Sequence, residues 1–254
     1  MDNEILWGYH PVYEALRAGR RTVFTVFVAQ GKHSAREQDV IQFARRAGVA
    51  VQAKTVQQLA ALVGHRRHQG ICASVSGYPM VNLDDLLAIA ETRRQKAFLL
   101  VLDQVVDPQN LGAVARTAQC AGVHGVVILK DRSASPTAAA CKASAGALEH
   151  MQLACVTNLS EALKRLKASG LWIIGADRQA QETVFQADLT GPLAVVIGAE
   201  EKGIRPLVRK QCDRMVSIPQ CGPIGSLNAS AAAAVILYEA FRQRVSLPGA
   251  GQRA

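Results

Sequence analysis

The chain has 254 residues, 49% of them hydrophobic and 19% charged, which is enough apolar material for one large domain or two modest ones. This composition excludes an intrinsically disordered chain. The chain also contains no run of about 18 apolar residues, which is the length that would predict a membrane span. The formal net charge of +9 favours a polyanionic partner, because a basic surface releases condensed counterions when it binds one. On charge alone, a merely basic protein fits equally well.

The excess positive charge is concentrated in the first third of the chain. Residues 1–80 carry ten Lys or Arg against five Asp or Glu. The first four residues are partly acidic and lead straight into Ile5-Leu6-Trp7, without the basic and apolar regions of a secretory signal. We therefore expect a cytoplasmic protein with no membrane segment.

Six cysteines are spread along the chain without a Cys-x-x-Cys pair or a Cys/His cluster. That spacing supports neither a disulfide framework nor a zinc site, so no metal is expected. The thiols are predicted to be small buried hydrophobic groups.

Short strands and helices alternate in the first part of the chain, which predicts a small α/β domain over residues 1–78. Ser34 is placed as a helix N-cap, and Glu37 three residues later completes a capping box. Gly77-Tyr78-Pro79 interrupts the pattern, so residues 79–95 are predicted to be a linker containing one short polar helix. The predicted elements are helices at 11–18, 34–48 and 83–94 and strands at 23–28, 49–52 and 71–75.

From Phe98 onward, continuous apolar runs alternate with helical segments, which predicts βαβ units in an open parallel sheet over residues 96–245. Ligands of such sheets bind beyond the carboxyl ends of the strands. Residues 246–254 are rich in Gly and Pro and are predicted to be a flexible tail. The predicted strands lie at 98–103, 125–129, 153–156, 171–175, 193–197 and 215–218, and the helices at 111–121, 138–148, 159–169 and 227–244.

The first unusual loop follows the first of these strands and leads into a helix of small apolar residues. Asn110 near its start is typical of a helix cap, which is the default interpretation of an isolated Asn. Arg116 lies six residues later among alanines and valine. An arginine there must reach solvent with its charged end or meet an anion.

The second loop, Gly198-Ala199-Glu200-Glu201-Lys202-Gly203, ends a buried strand. Its paired glycines allow a ligand to approach the backbone closely. It is neither a dinucleotide fingerprint nor a phosphate-binding P-loop, and its two carboxylates would repel phosphate. The loop therefore favours a ligand with positive charge or hydroxyl groups, such as a sulfonium nucleoside.

The third loop begins at Ile218-Pro219 and opens an alanine-rich helix through Ser226 and Asn228. Ser226 is predicted to cap that helix. Two hydroxyls and one amide within residues 226–230 also form a polar cluster at a positive helix end. The three loops at strand ends of one sheet together indicate a binding site.

These three loops, in this order, resemble the motifs of the SpoU (TrmH) branch of the SPOUT RNA methyltransferases. Motif one matches residues 110–116, motif two residues 197–203, and motif three Ile218-Pro219, Gly222 and residues 226–230. Residues 7–12 and 68–71 resemble the N-terminal substrate-binding module of the same family, so the likeness spans roughly residues 5–244. Residues 107–112 and 130–134 are most similar to the family's bacterial 23S rRNA enzymes, which methylate a guanosine ribose.

The resemblance implies an α/β protein with an N-terminal domain like the ribosomal protein L30e and a C-terminal SPOUT domain with a deep trefoil knot. It also implies a homodimer, with S-adenosylmethionine as cofactor and 23S rRNA as partner. The cofactor would contact Gly198, Ile218 and Leu227, while the positions that match catalytic or substrate residues are Asn110, Arg116, Glu200, Ser226 and Asn228. Glu201 stands where the family often has glycine, which places side-chain bulk in the cofactor loop.

Transfer of a methyl group to a ribose 2′-hydroxyl requires alignment of the two groups and removal of one proton. The three loops contain no histidine, and a guanidinium stays protonated. Arg116 is therefore predicted to position the hydroxyl and a substrate phosphate, with a role as base as the lesser hypothesis. Glu200 is expected to order its loop or contact a neighbouring subunit, and Ser226 and Asn228 to orient Arg116 or the ribose.

The RNA itself is expected to be bound mainly by the basic N-terminal domain. As a set, its arginines are predicted phosphate contacts, namely Arg17, Arg20, Arg21, Arg45, Arg46, Arg66 and Arg67. Two alternatives stay open: a tRNA ribose methyltransferase of the same superfamily, and a non-catalytic rRNA-binding assembly factor. A nucleotide-dependent oxidoreductase is disfavoured because the chain lacks the glycine fingerprint and an acidic ribose-binding residue.

Overall fold

The fold is described from a computed structural model, which covers residues 3–222 and 225–245. The predicted tail at 246–254 lies outside these residues. The chain forms two compact units, one comprising the chain up to Pro79 together with Ser135–His150, and the other comprising Met80–Ala134 and the chain from Met151 onward.

The first unit is built on a four-stranded mixed sheet. Its strand order is β1-β4-β2-β3, and β2 and β3 form its parallel pair. Ser34 caps α2 with both halves of the predicted capping box, which confirms that local signal. Numbered in chain order, the elements are β1 (Glu4–Trp7), α1 (Tyr9–Ala18), β2 (Val23–Ala29), α2 (Ala35–Arg46), β3 (Ala50–Lys54), α3 (Val56–Val63), β4 (Ile71–Val75), α6 (Ala138–Ala143) and the 3₁₀ helix η1 (Ala147–His150).

A buried ion pair joins the later segment of this unit to its start. The Arg21 side chain is fully buried, with Nε 3.0 Å from Glu149 Oε2 and Nη1 3.1 Å from Glu4 Oε2. Burial raises the pKa of Glu149, and the Arg21 guanidinium opposes that shift. Because its charge is neutralised inside the unit, the prediction that Arg21 contacts RNA phosphate is wrong.

The second unit contains the predicted open parallel sheet, which is confirmed. Its strand order is β10-β8-β9-β5-β6-β7, and every neighbouring pair is parallel. The elements are α4 (Leu83–Thr92), β5 (Phe98–Asp103), α5 (Pro108–Cys120), β6 (Gly125–Leu129), β7 (Leu153–Val156), α7 (Leu159–Ala168), β8 (Trp172–Ala176), β9 (Leu193–Gly198), α8 (Pro206–Arg209), β10 (Arg214–Val216) and α9 (Ala229–Val245).

The central strands explain why continuous apolar runs appear in the sequence. Every residue of β5 and β6 is buried, as is β9 up to Ile197, because helices cover both faces of such a sheet. Strands β5 and β9 pair from Phe98 opposite Leu193 to Asp103 opposite Gly198. This register places the two strand ends level with each other, where the loops of the site begin.

Several elements differ from those predicted. The helix expected at 138–148 ends at Ala143, because Ala145 and Gly146 have φ of +50° and +85°, a left-handed backbone that stops a helix. Helix α3 was not predicted, although Thr55 and Gln58 form a complete capping box that marks its start. Strand β1 and the four-residue helix α8 were not predicted either.

The cysteines are only partly as expected. Cys72 and Cys141 are buried, whereas Cys120, Cys155 and Cys221 are exposed. Among the residues described, no helix is long and apolar enough to cross a membrane.

We expect the stability of the second unit, which contains His124, to fall in mild acid because this histidine is held neutral. His124 is 5% exposed, its Nδ1 accepts a hydrogen bond from Phe98 N, and burial lowers its pKa to about 4. Between pH 6.5 and pH 4 the unfolded chain therefore binds the proton that the folded chain excludes. The loss is absent well above pH 6.5, where His124 is neutral in both the folded and the unfolded chain. Between pH 7 and pH 5 we expect this histidine to lower the free energy of unfolding by about 2 kcal/mol.

Urea unfolding across this pH range would measure the loss, with His124→Gln as the comparison. The carboxylates titrate in both proteins, so the difference between the two profiles isolates the histidine. Identical pH dependence in the variant and the parent would contradict the prediction.

Candidate active site

Four neighbouring strands, β8, β9, β5 and β6, end at the same edge of the sheet. The loop after β9 folds back on itself, because Gly203 N donates to Ala199 O at 2.8 Å and Ala199 N donates to Gly203 O at 3.2 Å. A Cβ on Gly198 would lie 2.2 Å from the Gly203 carbonyl carbon. Gly198 is thus required by the fold of the loop itself.

A buried carboxylate anchors the far end of this loop. Asp103, fully buried at the end of β5, accepts hydrogen bonds from Arg205 N at 2.8 Å and Arg205 Nε at 2.7 Å. A buried carboxylate is stable only when it is paired and hydrogen-bonded in this way. Asp103 was not predicted as a site residue, because in the sequence it looks like the polar end of a strand.

The three sequence motifs meet in a hydrogen-bond network made of Asn110, Glu200 and Asn228. Glu200 Oε1 accepts from Asn110 Nδ2 at 3.0 Å, from Asn228 Nδ2, and from the main-chain N of Ala229 at 3.4 Å. Asn228 Nδ2 also donates to Asn110 Oδ1 at 3.0 Å. One carboxylate therefore holds the start of α5, the loop after β9 and the start of α9 in a fixed arrangement.

The helix caps at this network differ from those predicted. Asp107, not Asn110, is the N-cap of α5, because its side chain accepts from Gln109 N. Helix α9 begins at Ala229, where Asn228 Oδ1 accepts from Ser230 N at 2.9 Å, so the prediction of Ser226 as cap is wrong. Ser226 is exposed two residues before the capping position.

A cavity of about 350 Å³ lies beside this network. Its walls include Gly198, Ile218, Ser226 and Leu227, all of them predicted positions, as well as the loop 199–203. Residues 176–179, at the end of β8, form another wall that was not predicted. Within that wall Asp177 forms an ion pair with Arg209. The adjacency of β8 and β9, which brings this segment to the site, follows from the topology and not from the local sequence.

The cavity fits a sulfonium nucleoside in size and in the groups it offers. Pockets for small ligands and cofactors span about 300 to 1,000 Å³. Among the described residues, the main-chain amide groups of Ile218 and Leu227 in the cavity wall form no hydrogen bond. Glu200 and Glu201 line the same cavity and suit a cation and ribose hydroxyls.

Arg116 is not brought into this network within one chain. It is exposed on α5, and among the residues described it has neither a salt bridge nor a side-chain hydrogen bond. Arg116 lies six helical steps after Asn110, which is roughly 9 Å along the helix axis and about 120° around it.

The remaining predicted RNA contacts of the first unit differ in exposure. Arg17, Arg45, Arg46, Arg66 and Arg67 are exposed. Arg20 is half-buried and donates to Tyr78 Oη at 3.2 Å and to the carbonyl oxygen of Pro79. Arg20 is thus largely used in holding its own unit together.

An open parallel sheet with a cofactor-sized cavity at the carboxyl ends of its strands defines an α/β protein that binds a nucleotide-like ligand. The chain belongs to the SpoU rRNA methylase family, whose model matches residues 97–238. Residues 5–81 match the model for the RNA 2′-O ribose methyltransferase substrate-binding domain. The predicted family is therefore confirmed.

Known relatives resemble the chain over nearly its whole length. It is 42% identical to the 23S rRNA (guanosine-2′-O-)-methyltransferase RlmB of Photorhabdus laumondii, covering 96% of this chain and 100% of that protein. The RlmB protein of Yersinia pestis is 41% identical, with 95% and 98% covered. The crystal structure of the SpoU methyltransferase AviRb from Streptomyces viridochromogenes in complex with AdoMet superposes with a TM-score of 0.82 at 27% identity, covering 96% of this chain and 91% of that one.

Proposed function

We propose that this protein transfers a methyl group from S-adenosylmethionine to the 2′-hydroxyl of a guanosine ribose in 23S ribosomal RNA. The observation that carries the proposal is the convergence of three separate motifs on the Asn110–Glu200–Asn228 network beside the cavity. The RlmB relatives, at about 40% identity and nearly full coverage, support the guanosine of 23S rRNA as the target.

The cavity at the end of β9 is the proposed cofactor site. When bound, S-adenosylmethionine supplies a methyl group on a positively charged sulfur. Main-chain groups near Ile218 and Leu227 hold the base, and Gly198 keeps the loop folded so that the cavity stays open. Carboxylates on the same loop favour the positive charge over a phosphate. The complex of AviRb with AdoMet supports this assignment.

The hydrogen-bond network holds the groups that surround the acceptor hydroxyl. Glu200 is a positioning residue, because its Oε1 already accepts from three donors. Asn110, Asn228 and the exposed Ser226 are the polar groups that face the ribose. Orientation of two reacting groups removes much of the entropic part of a barrier.

Arg116 is the proposed binding group for a substrate phosphate and the 2′-hydroxyl, in a site on the partner subunit. Its exposure and its direction away from Asn110 support action across a dimer. A guanidinium stays protonated, so it orients the hydroxyl while the departing proton goes to a phosphate oxygen of the substrate. The protein is accordingly a homodimer, and its catalytic domain carries the trefoil knot typical of the family.

The proposed organisation assigns one task to each region of the chain. Residues 1–78, with the segment 135–150 that belongs to the same compact unit, form the L30e-like RNA-binding domain, residues 79–95 the linker, and the rest of residues 96–245 the catalytic domain. Exposed arginines such as Arg45, Arg46 and Arg66 bind RNA phosphates. The protein acts in the cytoplasm, where ribosomal RNA is found.

Mapping 2′-O-methyl groups in rRNA and tRNA from cells with and without the gene tests the proposal. We expect one guanosine of 23S rRNA to lose its methyl group and to regain it when the gene is restored. Loss of a methyl group in tRNA alone would favour the tRNA enzyme. An unchanged map, together with no binding of S-adenosylmethionine in calorimetry, would favour a non-catalytic assembly factor.

A further inference from the structure

A second cavity, of about 390 Å³, opens at the same edge of the second unit. It lies over the ends of β9, β5 and β6, which are adjacent in the sheet. It shares the loop 199–202 and Ala229 with the cofactor cavity, so the two spaces lie side by side. Asn110 and Glu200 of the hydrogen-bond network form part of its wall.

Two residues that line this second cavity have an unusual backbone. Gln104 and Arg132 have φ of +61° and +56°, in the left-handed region that side chains other than Gly rarely adopt. Such conformations cost about 1 to 3 kcal/mol each and cluster at functional sites. Gln104 follows β5 and Arg132 follows β6, so both strained positions lie at the strand ends that form the cavity.

Neighbouring contacts hold the strained loop in place. Ala134 N donates to Val105 O at 2.8 Å, and Ser133 Oγ donates to the same oxygen at 3.5 Å. The loop that carries Arg132 is therefore bonded to the loop that follows β5. This arrangement keeps Arg132 at the cavity even though its backbone conformation is unfavourable.

The charge of Arg132 is not neutralised by the protein. Arg132 is exposed, and in the part of the chain that the structure describes it forms no salt bridge and no side-chain hydrogen bond. The carboxylates of Glu200 and Glu201 come from the loop after β9, on the other side of β5 from the strand that leads to Arg132. Asp107 and Lys202 also line the cavity, so its charged lining is mixed, and Arg132 is the cation that the loop after β6 supplies.

We infer that this second cavity holds the target nucleotide and that Arg132 binds its phosphate group. The inference rests on the proposed function, since it places the methyl acceptor beside the cofactor. A guanidinium forms paired hydrogen bonds with phosphate oxygens. Val105 and Val106 supply apolar wall for the sugar and base, and the shared loop brings the ribose next to the network.

The test compares Arg132→Ala with Arg94→Ala in the full-length protein. Arg94 is a matched control, because it is also exposed, also left-handed with φ of +53°, and in the same unit, but does not line the cavity. We expect kcat/KM on a 23S rRNA transcript to fall at least about 10-fold in Arg132→Ala and to change less than two-fold in Arg94→Ala. The affinity for S-adenosylmethionine should be unchanged in both variants.

A nucleotide-binding measurement identifies the phosphate as the group recognised. By NMR titration, we expect the dissociation constant of 5′-GMP to rise at least about five-fold in Arg132→Ala, while that of guanosine stays the same. Arg132→Gly relieves the strained backbone, so its melting temperature should not fall although it too loses affinity for 5′-GMP.

The outcomes separate this inference from the proposed function. Unchanged binding of 5′-GMP in Arg132→Ala, or equal weakening of 5′-GMP and guanosine, overturns the role in phosphate binding even if the enzyme methylates 23S rRNA. A wild-type protein that methylates no guanosine in the transcript contradicts the proposed function, and the nucleotide titration then decides on Arg132 by itself.

Discussion

Replacing Arg116 with alanine is expected to lower the rate of methyl transfer by about 100-fold or more while leaving cofactor binding intact. Arg116 is exposed and does not line the cofactor cavity of its own chain, so its loss leaves that cavity unchanged. The missing guanidinium leaves the phosphate and the hydroxyl unaligned in the transition state. Incorporation of labelled methyl groups into 23S rRNA measures the rate, and calorimetry measures the affinity for S-adenosylmethionine.

Arg165→Ala is the matched control, because Arg165 is an exposed helical arginine whose partner is the exposed Asp84. It should retain its rate within two-fold. A rate within two-fold of the parent for Arg116→Ala would show that Arg116 has no such role.

Mixing two inactive variants tests whether Arg116 acts across the dimer. When Arg116→Ala and Asn228→Ala subunits are exchanged, half of the dimers are mixed, and each mixed dimer contains one complete site. About a quarter of the wild-type activity should therefore return. No recovery would place Arg116 in the site of its own chain.

Replacing Gly198 with alanine is expected to destabilise the catalytic unit by about 3 kcal/mol and to abolish measurable cofactor binding. The added Cβ would lie 2.2 Å from the Gly203 carbonyl carbon and 2.3 Å from Ile204 N. Both neighbours are backbone atoms, so no side-chain rotation relieves the overlap. The loop would have to open. Opening would move Arg205, which follows the loop, away from its hydrogen-bond acceptor Asp103.

Gly191→Ala is the control, since nothing lies within 4 Å of a Cβ at that position and its φ is not in the left-handed region. Gly198→Ala should have a lower melting temperature than Gly191→Ala. Calorimetry should detect binding of S-adenosylmethionine only to Gly191→Ala. Parent-like stability and cofactor affinity in Gly198→Ala would mean that the loop can rearrange at little cost.

Local signals in the sequence predicted much of the fold. The Ser34–Glu37 capping box and the buried strand Phe98–Asp103 are found where the pattern placed them, because each depends on neighbouring residues or on hydrophobic periodicity. The early end of α6 depends on a left-handed backbone at Ala145, which an alanine does not announce. Helix α3 could have been predicted from its capping box at Thr55.

Side-chain partners distant in sequence could not be predicted. Arg20 and Arg21 are adjacent and look alike in the sequence, yet Arg21 is fully buried against Glu149, 128 residues away, and Arg20 is only half-buried. Asp103 looks like a strand end but anchors Arg205. Such partners depend on how elements distant in sequence pack together in the folded chain, which periodicity does not encode.

The sequence by itself determined the alternating parallel sheet and the three loops at its strand ends, since hydrophobic runs and Gly or Asn positions are written locally. The family resemblance of these loops also marked Asn110, Arg116, Glu200, Ser226 and Asn228 as candidate site residues. Only the tertiary structure decided that the Glu200 carboxylate accepts hydrogen bonds from both Asn110 and Asn228. It also decided that Gly198 serves the fold of its own loop. The adjacency of β6, β5, β9 and β8 also placed two cavities side by side, because strand order is a property of the folded chain.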